Sequence, residues 1–340
     1  MSRAPVASFV EIRRALAEFP VADETARAEA AERDATLTKP PGSLGRLEQL
    51  AQWLAAWQGR HPPKLDRPRV AVFAGSHGVA RRGVSAYPPE VTAQMVQNFV
   101  NGGAAINQLC IIADAELRVY EMAIEDPTED FTERPAMDEA SCARAIAYGM
   151  MAVEPGIDLL CVGEMGIGNT TAGAALSATL FGGNGAEWAG PGTGVAGAAL
   201  ARKVAVIDAG LARHRGQIAD PLNALRCFGG QEMAAIVGAI IAARMAHVPV
   251  LLDGFVSTAS AAVLHALAPG ALDHCEVAHL SREPGHRRLV AALGKRPLLE
   301  FDMHLGEASG AALAIPLLRA AIACHTGMAT FAEAGVSGPT

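Results

Sequence analysis

Aromatic side chains are scarce in this 340-residue sequence, at 5% of the chain, whereas hydrophobic residues make up 51%. A core built from such a chain must rest on aliphatic and small side chains, with alanine and glycine at close contacts between elements. The six cysteines, Cys110, Cys142, Cys161, Cys227, Cys275 and Cys324, contain no C-x-x-C pair. That excludes the usual zinc-knuckle and dithiol redox motifs and suits a reducing compartment. Lysine and arginine form no long run, and the formal net charge is −7. A surface that tracks a nucleic-acid backbone is excluded. A single-anion site is not, because backbone N–H groups bind phosphate without net positive charge. The ten histidines include no H-x-x-x-H or H-E-x-x-H pattern, so His77, His304 and His325 read as structural and no metal site is expected. No apolar stretch reads as a membrane span: Arg244 follows the run from Ala234, and Pro316 and Arg319 interrupt the last one. The N-terminus carries Glu11 and Glu18 and makes a poor signal peptide. A cytoplasmic chain is expected, with neither nucleic acid nor membrane as partner.

What is present is an alternation of short apolar runs with helical patterns. The runs are Val70–Ala74, Leu117–Met122, Leu159–Val162, Val250–Leu252 and, more weakly, Val277–Leu280. Each is short for a helix, and the alternation predicts an α/β fold whose parallel sheet is covered by helices on both faces. The first forty residues and Ala311–Ala332 are helical in pattern. After Lys39-Pro40-Pro41-Gly42, Ser43 is a candidate N-cap for an amphipathic helix marked by Leu44, Leu47, Leu50, Ala51 and Leu54. Pro127–Pro135 reads as a surface loop.

The polar motifs sit just past the apolar runs, where ligands bind in open α/β sheets. The strongest is GEMGIGNTTAGAAL, residues 163–176, with the order strand, glycine-rich turn, helix. Gly166 and Gly168 let the backbone approach a ligand, Thr170 or Thr171 can cap the helix, and its N-terminus offers free N–H groups to a phosphate. Asn169 stands where a Walker A lysine would be, and the spacing does not fit the dinucleotide fingerprint. Glu164 can hold a ribose hydroxyl or serve as a solvated cap. Lys203, in an apolar run, can neutralise an anionic group or lie on a helix surface. In FDMHLGEASGAALAIPLL, residues 301–318, Glu307 sits between Gly306 and Gly310. Desolvation there would raise its pKa toward that of a general base, although glutamate is also common at helix starts. Ser85 and Tyr87, in GSHGVARRGVSAYPPEVTAQMVQNF, can line a pocket for an aromatic ring.

Together these segments resemble the nicotinate-nucleotide–dimethylbenzimidazole phosphoribosyltransferase family. The resemblance runs through TKPPGSLGRLE, HGVARRGVSAYPPEVTAQMV, NGGAAIN, GEMGIGNTTAGAAL, GTGV, FGGQEMAA, LLDGF, LGEASGAALAIPLL and MATFAEAGVSG, nearly the whole chain. It implies a Rossmann-like parallel sheet flanked by helices in a large domain, residues 61–304. A small helical domain would be built from both ends, residues 1–60 and 305–340. It implies a homodimer that uses no cofactor, with nicotinate mononucleotide and 5,6-dimethylbenzimidazole as substrates and α-ribazole 5′-phosphate and nicotinate as products. Carried over by motif, Glu307 is the catalytic base, with Glu164 and Lys203 as further catalytic-site members. The phosphate and ribose site is the loop with Gly166, Gly168, Asn169, Thr170 and Thr171, and the benzimidazole pocket holds Ser85, Tyr87 and Leu305. Two positions depart from the family pattern: Ser76 replaces the usual Asp before His77, and Thr326-Gly327 replaces Asn-Glu before Met328. A small-molecule kinase would instead call for a Walker-type lysine or metal-binding carboxylates by the loop. A nucleotide sensor would keep the loop and need no base.

Overall fold

A computed structural model describes residues 8–338. Five strands, β1 (Pro68–Gly75), β2 (Glu116–Met122), β3 (Leu159–Met165), β4 (Val250–Leu252) and β5 (Cys275–Val277), form one all-parallel sheet in the order β2-β1-β3-β4-β5. The first three helices are α1 (Phe9–Ala17), α2 (Glu24–Thr36) and α3 (Arg46–Gln58). Between β1 and β3 lie α4 (Val91–Val100), α5 (Ala105–Ala113) and α6 (Glu139–Gly149). Between β3 and β4 lie α7 (Asn169–Phe181), α8 (Gly185–Trp188), α9 (Gly197–His214), α10 (Pro221–Phe228) and α11 (Gln231–Met245). Then come α12 (Phe255–Leu267), α13 (Pro284–Ala292), α14 (Ser309–Gly327) and α15 (Phe331–Ala334).

The strands are apolar on both sides because both faces of the sheet are covered. Along β1, Ala71 and Phe73 enter one hydrophobic cluster while Val70 and Val72 enter the other. Leu160 and Val162 of β3 likewise oppose Leu159 and Cys161. This period-two division produces the unbroken apolar runs in the sequence. On the first face pack α6, α7, α11 and α12, the last three apolar nearly all round; on the second pack α3, α5 and α14. All five apolar runs carry strands, and only the last is displaced, to Cys275–Val277.

Two local expectations are corrected. Ser43 is not a cap: α3 starts at Arg46 after two left-handed glycines, Gly42 and Gly45, and the Leu44 N–H instead donates to Glu48 Oε1 at 2.8 Å. The Pro127–Pro135 segment is not merely a surface loop, since Phe131 is buried and packs edge-on against Phe228. Among the described residues one helix, α14, is long and apolar enough to cross a bilayer, and it packs against α3, α5 and β3 as a core helix, in keeping with the expected absence of a membrane span.

Strand order reverses at β1, whose neighbours β2 and β3 lead the chain in opposite directions. The crevice beyond the carboxyl ends of β1 and β3 is therefore where a ligand is expected.

Candidate active site

Gly75 ends β1 and Met165 ends β3, and their continuations meet. A Cβ on Gly166 would come within 2.6 Å of the Gly75 carbonyl oxygen. The Ile167 N–H donates to the buried Thr92 hydroxyl at 3.1 Å, so the start of α4 fixes the glycine-rich turn. Gly168 takes φ 96°, a conformation that favours glycine, and precedes α7. Neither Thr170 nor Thr171, the alternative caps expected, serves as one: Gly168 is the N-cap and both threonines lie within the first turn of α7. The Thr170 hydroxyl turns to Lys203.

Lys203 lies on α9 and is fully buried, not on the helix surface. Its Nζ donates to Thr170 Oγ1 at 2.8 Å and to the Gly190 carbonyl at 2.9 Å. Burial lowers its pKa to about 8, against the attraction of Glu283. The loop 190–193 is pinned on both sides. The Gly192 N–H donates to Glu283 Oε1 at 2.7 Å, and Thr193 Oγ1 lies 2.9 Å from Ser85 Oγ and accepts the Ala86 N–H. Thus Ser85, Lys203 and Thr170 converge through this loop. Tyr87 and Leu305 are exposed apolar side chains, each at 56% relative accessibility.

Glu307 reaches the same crevice from the other end of the chain. Its N–H donates to the Glu164 carbonyl at 3.1 Å, so the two acidic residues are joined through the backbone. Gly163 makes this approach possible, because a Cβ there would stand 2.1 Å from the Ala308 nitrogen. Glu307 and Ala308 both adopt left-handed backbone, φ 63° and 66°, immediately before α14. Glu307 is 4% exposed, and its Oε2 has no hydrogen-bond partner. Burial raises its pKa to about 7, with help from the Asp253 charge and against the Ile106 N–H of α5. Glu164 is raised further, to about 8, by burial and then by Glu232, Asp253 and Glu307, while a hydrogen bond from Asn169 works the other way. Near neutral pH the site therefore pairs a protonated Glu164 with a Glu307 that can give up or take a proton.

Sequence reasoning assigned no role to the buried carboxylates behind this pair. Glu232, at the start of α11, pairs with His77 at 2.6 Å. Asp253, just after β4, accepts N–H groups from the start of α14. Both lie in quoted motifs, FGGQEMAA and LLDGF, but motifs do not show which distant helix start each reaches. Among the described residues no group of three or more His, Cys, Asp or Glu side chains is placed to hold a metal ion.

A family described as "Phosphoribosyltransferase" matches residues 19–336. The nicotinate-nucleotide–dimethylbenzimidazole phosphoribosyltransferase of Rhizobium meliloti (strain 1021) is 56% identical over 329 residues, 97% of each chain. That of Brucella canis (strain ATCC 23365 / NCTC 10854 / RM-666) is 54% identical over the same share. A crystal structure of the enzyme so named from Thermus thermophilus superposes with a TM-score of 0.87 at 44% identity, covering 93% of this chain and 100% of that one.

Proposed function

The chain belongs to the nicotinate-nucleotide–dimethylbenzimidazole phosphoribosyltransferase family, and on that premise we propose how its residues perform the transfer. The substrates are nicotinate mononucleotide and 5,6-dimethylbenzimidazole, and the products are α-ribazole 5′-phosphate and nicotinate, in the assembly of the cobalamin nucleotide loop. The bond that breaks joins C1′ to a pyridinium nitrogen. Its electron pair returns to that nitrogen and neutralises the ring, so the leaving group needs no acid. The bond that forms uses the lone pair of one benzimidazole nitrogen, which would leave a cationic ring. Glu307 takes the proton from the other nitrogen during attack and removes that charge. Help of this kind accelerates attack by roughly 10²–10⁴-fold. Inversion at C1′ fits in-line displacement with both rings held in place, and positioning supplies much of the remaining rate.

The observation that carries this reading is the Glu307 carboxyl: buried, with an unpartnered oxygen and a pKa of about 7, at the mouth of the β1/β3 crevice. Lys203, Thr170 and the turn containing Gly166, Gly168, Asn169 and Thr171 bind the nucleotide phosphate and ribose. Their binding energy, remote from C1′, orients the reacting carbon. Protonated Glu164 donates a hydrogen bond to the ribose, while Asn169 holds its other oxygen. Ser85, Tyr87 and Leu305 receive the benzimidazole. The test is incubation with nicotinate mononucleotide and dimethylbenzimidazole, with free nicotinate followed by chromatography. Folded protein that releases none overturns the reading.

The assembly is proposed to be a cytoplasmic homodimer, which sedimentation of the native chain tests. Its cysteines are unpaired, which suits a reducing compartment. Residues 1–60 with 305–340 are read as a helical unit beside an α/β unit, 61–304; residues 1–7 and 339–340 lie outside the described ones. This division is supported by the Leu37–Thr330 bridge and by Arg33, which donates to the carbonyls of His325, Thr326 and Met328.

A further inference from the structure

The turn that carries Glu307 lacks its own cap. Ala308 occupies the N-cap of α14 with no side chain able to accept the first N–H groups. Both Glu307 and Ala308 also hold left-handed backbone, which is costly for a residue with a Cβ. The missing acceptor comes from another element. Asp253, fully buried one residue past β4, accepts from Gly310 N at 2.7 Å and from Ala311 N at 3.0 Å through Oδ1. Its own N–H donates to the Val162 carbonyl at 3.2 Å, which ties it to β3. The buried His279 ring lies 3.5 Å from the same carboxylate oxygen and fills the space beside Gly310, where a Cβ would meet it at 2.0 Å.

We propose that Asp253 is the positioning residue of Glu307: it caps α14 from β4, fixes the left-handed pair, and sets its own carboxyl behind the base. Burial raises the pKa of Asp253, and the N–H groups at the start of α14, the positive end of its dipole and the His279 ring oppose that rise. Glu164 faces Glu307 from β3, Asp253 from β4, and α5 contributes only the Ile106 N–H. Behind them stand the His279 ring and the His77–Glu232 pair. The charge that acts on Glu307 beside burial is that of Asp253, which the His279 ring partly offsets.

This inference rests on Glu307 as the base, and the test separates the two. The kcat and kcat/KM of the transfer are measured from pH 5 to pH 9 in the wild type, Glu307→Gln, Asp253→Asn and Asp253→Ala, with thermal melting as the check on folding. Asp253→Asn keeps the acceptor and loses the charge. Its acid limb is expected to move about half a pH unit or more toward lower pH, with nucleotide KM changed less than about threefold. Asp253→Ala loses the cap as well, and kcat is expected to fall about tenfold or more. Adding Ala308→Gly to that variant is expected to restore part of kcat, since glycine takes the left-handed conformation without strain. If Asp253→Ala does not fold, the isosteric Asp253→Asn decides. An unmoved acid limb in folded Asp253→Asn overturns the proposal, as does wild-type kcat in Asp253→Ala. An acid limb that survives in Glu307→Gln removes the base reading itself, whereas a limb lost there but unmoved in Asp253→Asn removes only the role of Asp253.

Discussion

Glu307→Gln is expected to give a protein that is almost inactive and whose stability relative to the wild type rises as the pH rises toward neutral. A glutamate has an ordinary pKa of 4.5, and in the folded chain Glu307 titrates at about 7. The folded state thus binds its proton more tightly than the unfolded state. Its contribution is fully present below pH 4.5, and is lost as pH rises through about 7. At about 1.4 kcal/mol per pH unit, that interval corresponds to a ceiling of roughly 3 kcal/mol. Glutamine cannot ionise and does not lose it. For a chain of this length each kcal/mol moves the melting temperature by roughly 1–2 °C. The melting temperature of Glu307→Gln minus that of the wild type should therefore climb by roughly 3–4 °C between pH 5 and pH 8, then level off. Any fixed cost of burying the amide shifts the whole curve without changing its slope. Differential scanning calorimetry across that range measures it, beside turnover, which should fall by about 10²–10⁴-fold. A difference that stays flat from pH 5 to pH 8 refutes the claim that the Glu307 carboxyl is held in a dry, proton-retaining site. Near-normal turnover refutes its role as the base.

Lys203→Ala is expected to raise the KM for nicotinate mononucleotide at least about tenfold while the KM for the base moves little, as steady-state kinetics with each substrate varied would show. Gly163→Ala should destabilise the fold by more than about 1 kcal/mol in urea titration, because the clash is with the Ala308 backbone, which cannot swing away. The same variant should lower kcat, since the displaced segment is the Glu307 turn. Tyr87→Ala is expected to weaken use of dimethylbenzimidazole without altering the nucleotide KM; unchanged kinetics for both substrates would take Tyr87 out of the base pocket.

Strand positions were legible because both faces of the sheet are buried: Val70–Ala74, Leu159–Val162 and Val250–Leu252 leave no polar residue for an open face. The glycine-rich turn was legible for a similar reason, since Gly168 needs positive φ and sits between an apolar strand and a helix. Helix starts were harder to read. Ser43 and Thr170 are good caps by residue type, but local preference is overridden where a distant side chain supplies the acceptor or claims the hydroxyl. Lys203 takes the Thr170 hydroxyl and Asp253 takes the first N–H groups of α14, across separations that no local pattern reports.

The same long-range dependence explains why Glu307 read alone was ambiguous. A glutamate between glycines near a helix start ordinarily complements the helix dipole in water. Here that duty has passed to Asp253, 57 residues from Gly310 in sequence. The glutamate that precedes the helix is left with an unpartnered oxygen in a buried site. A carboxyl relieved of capping, desolvated and set beside another negative charge has few favourable things to do except accept a proton. Its pKa of about 7 follows from that arrangement rather than from any feature of the glutamate itself.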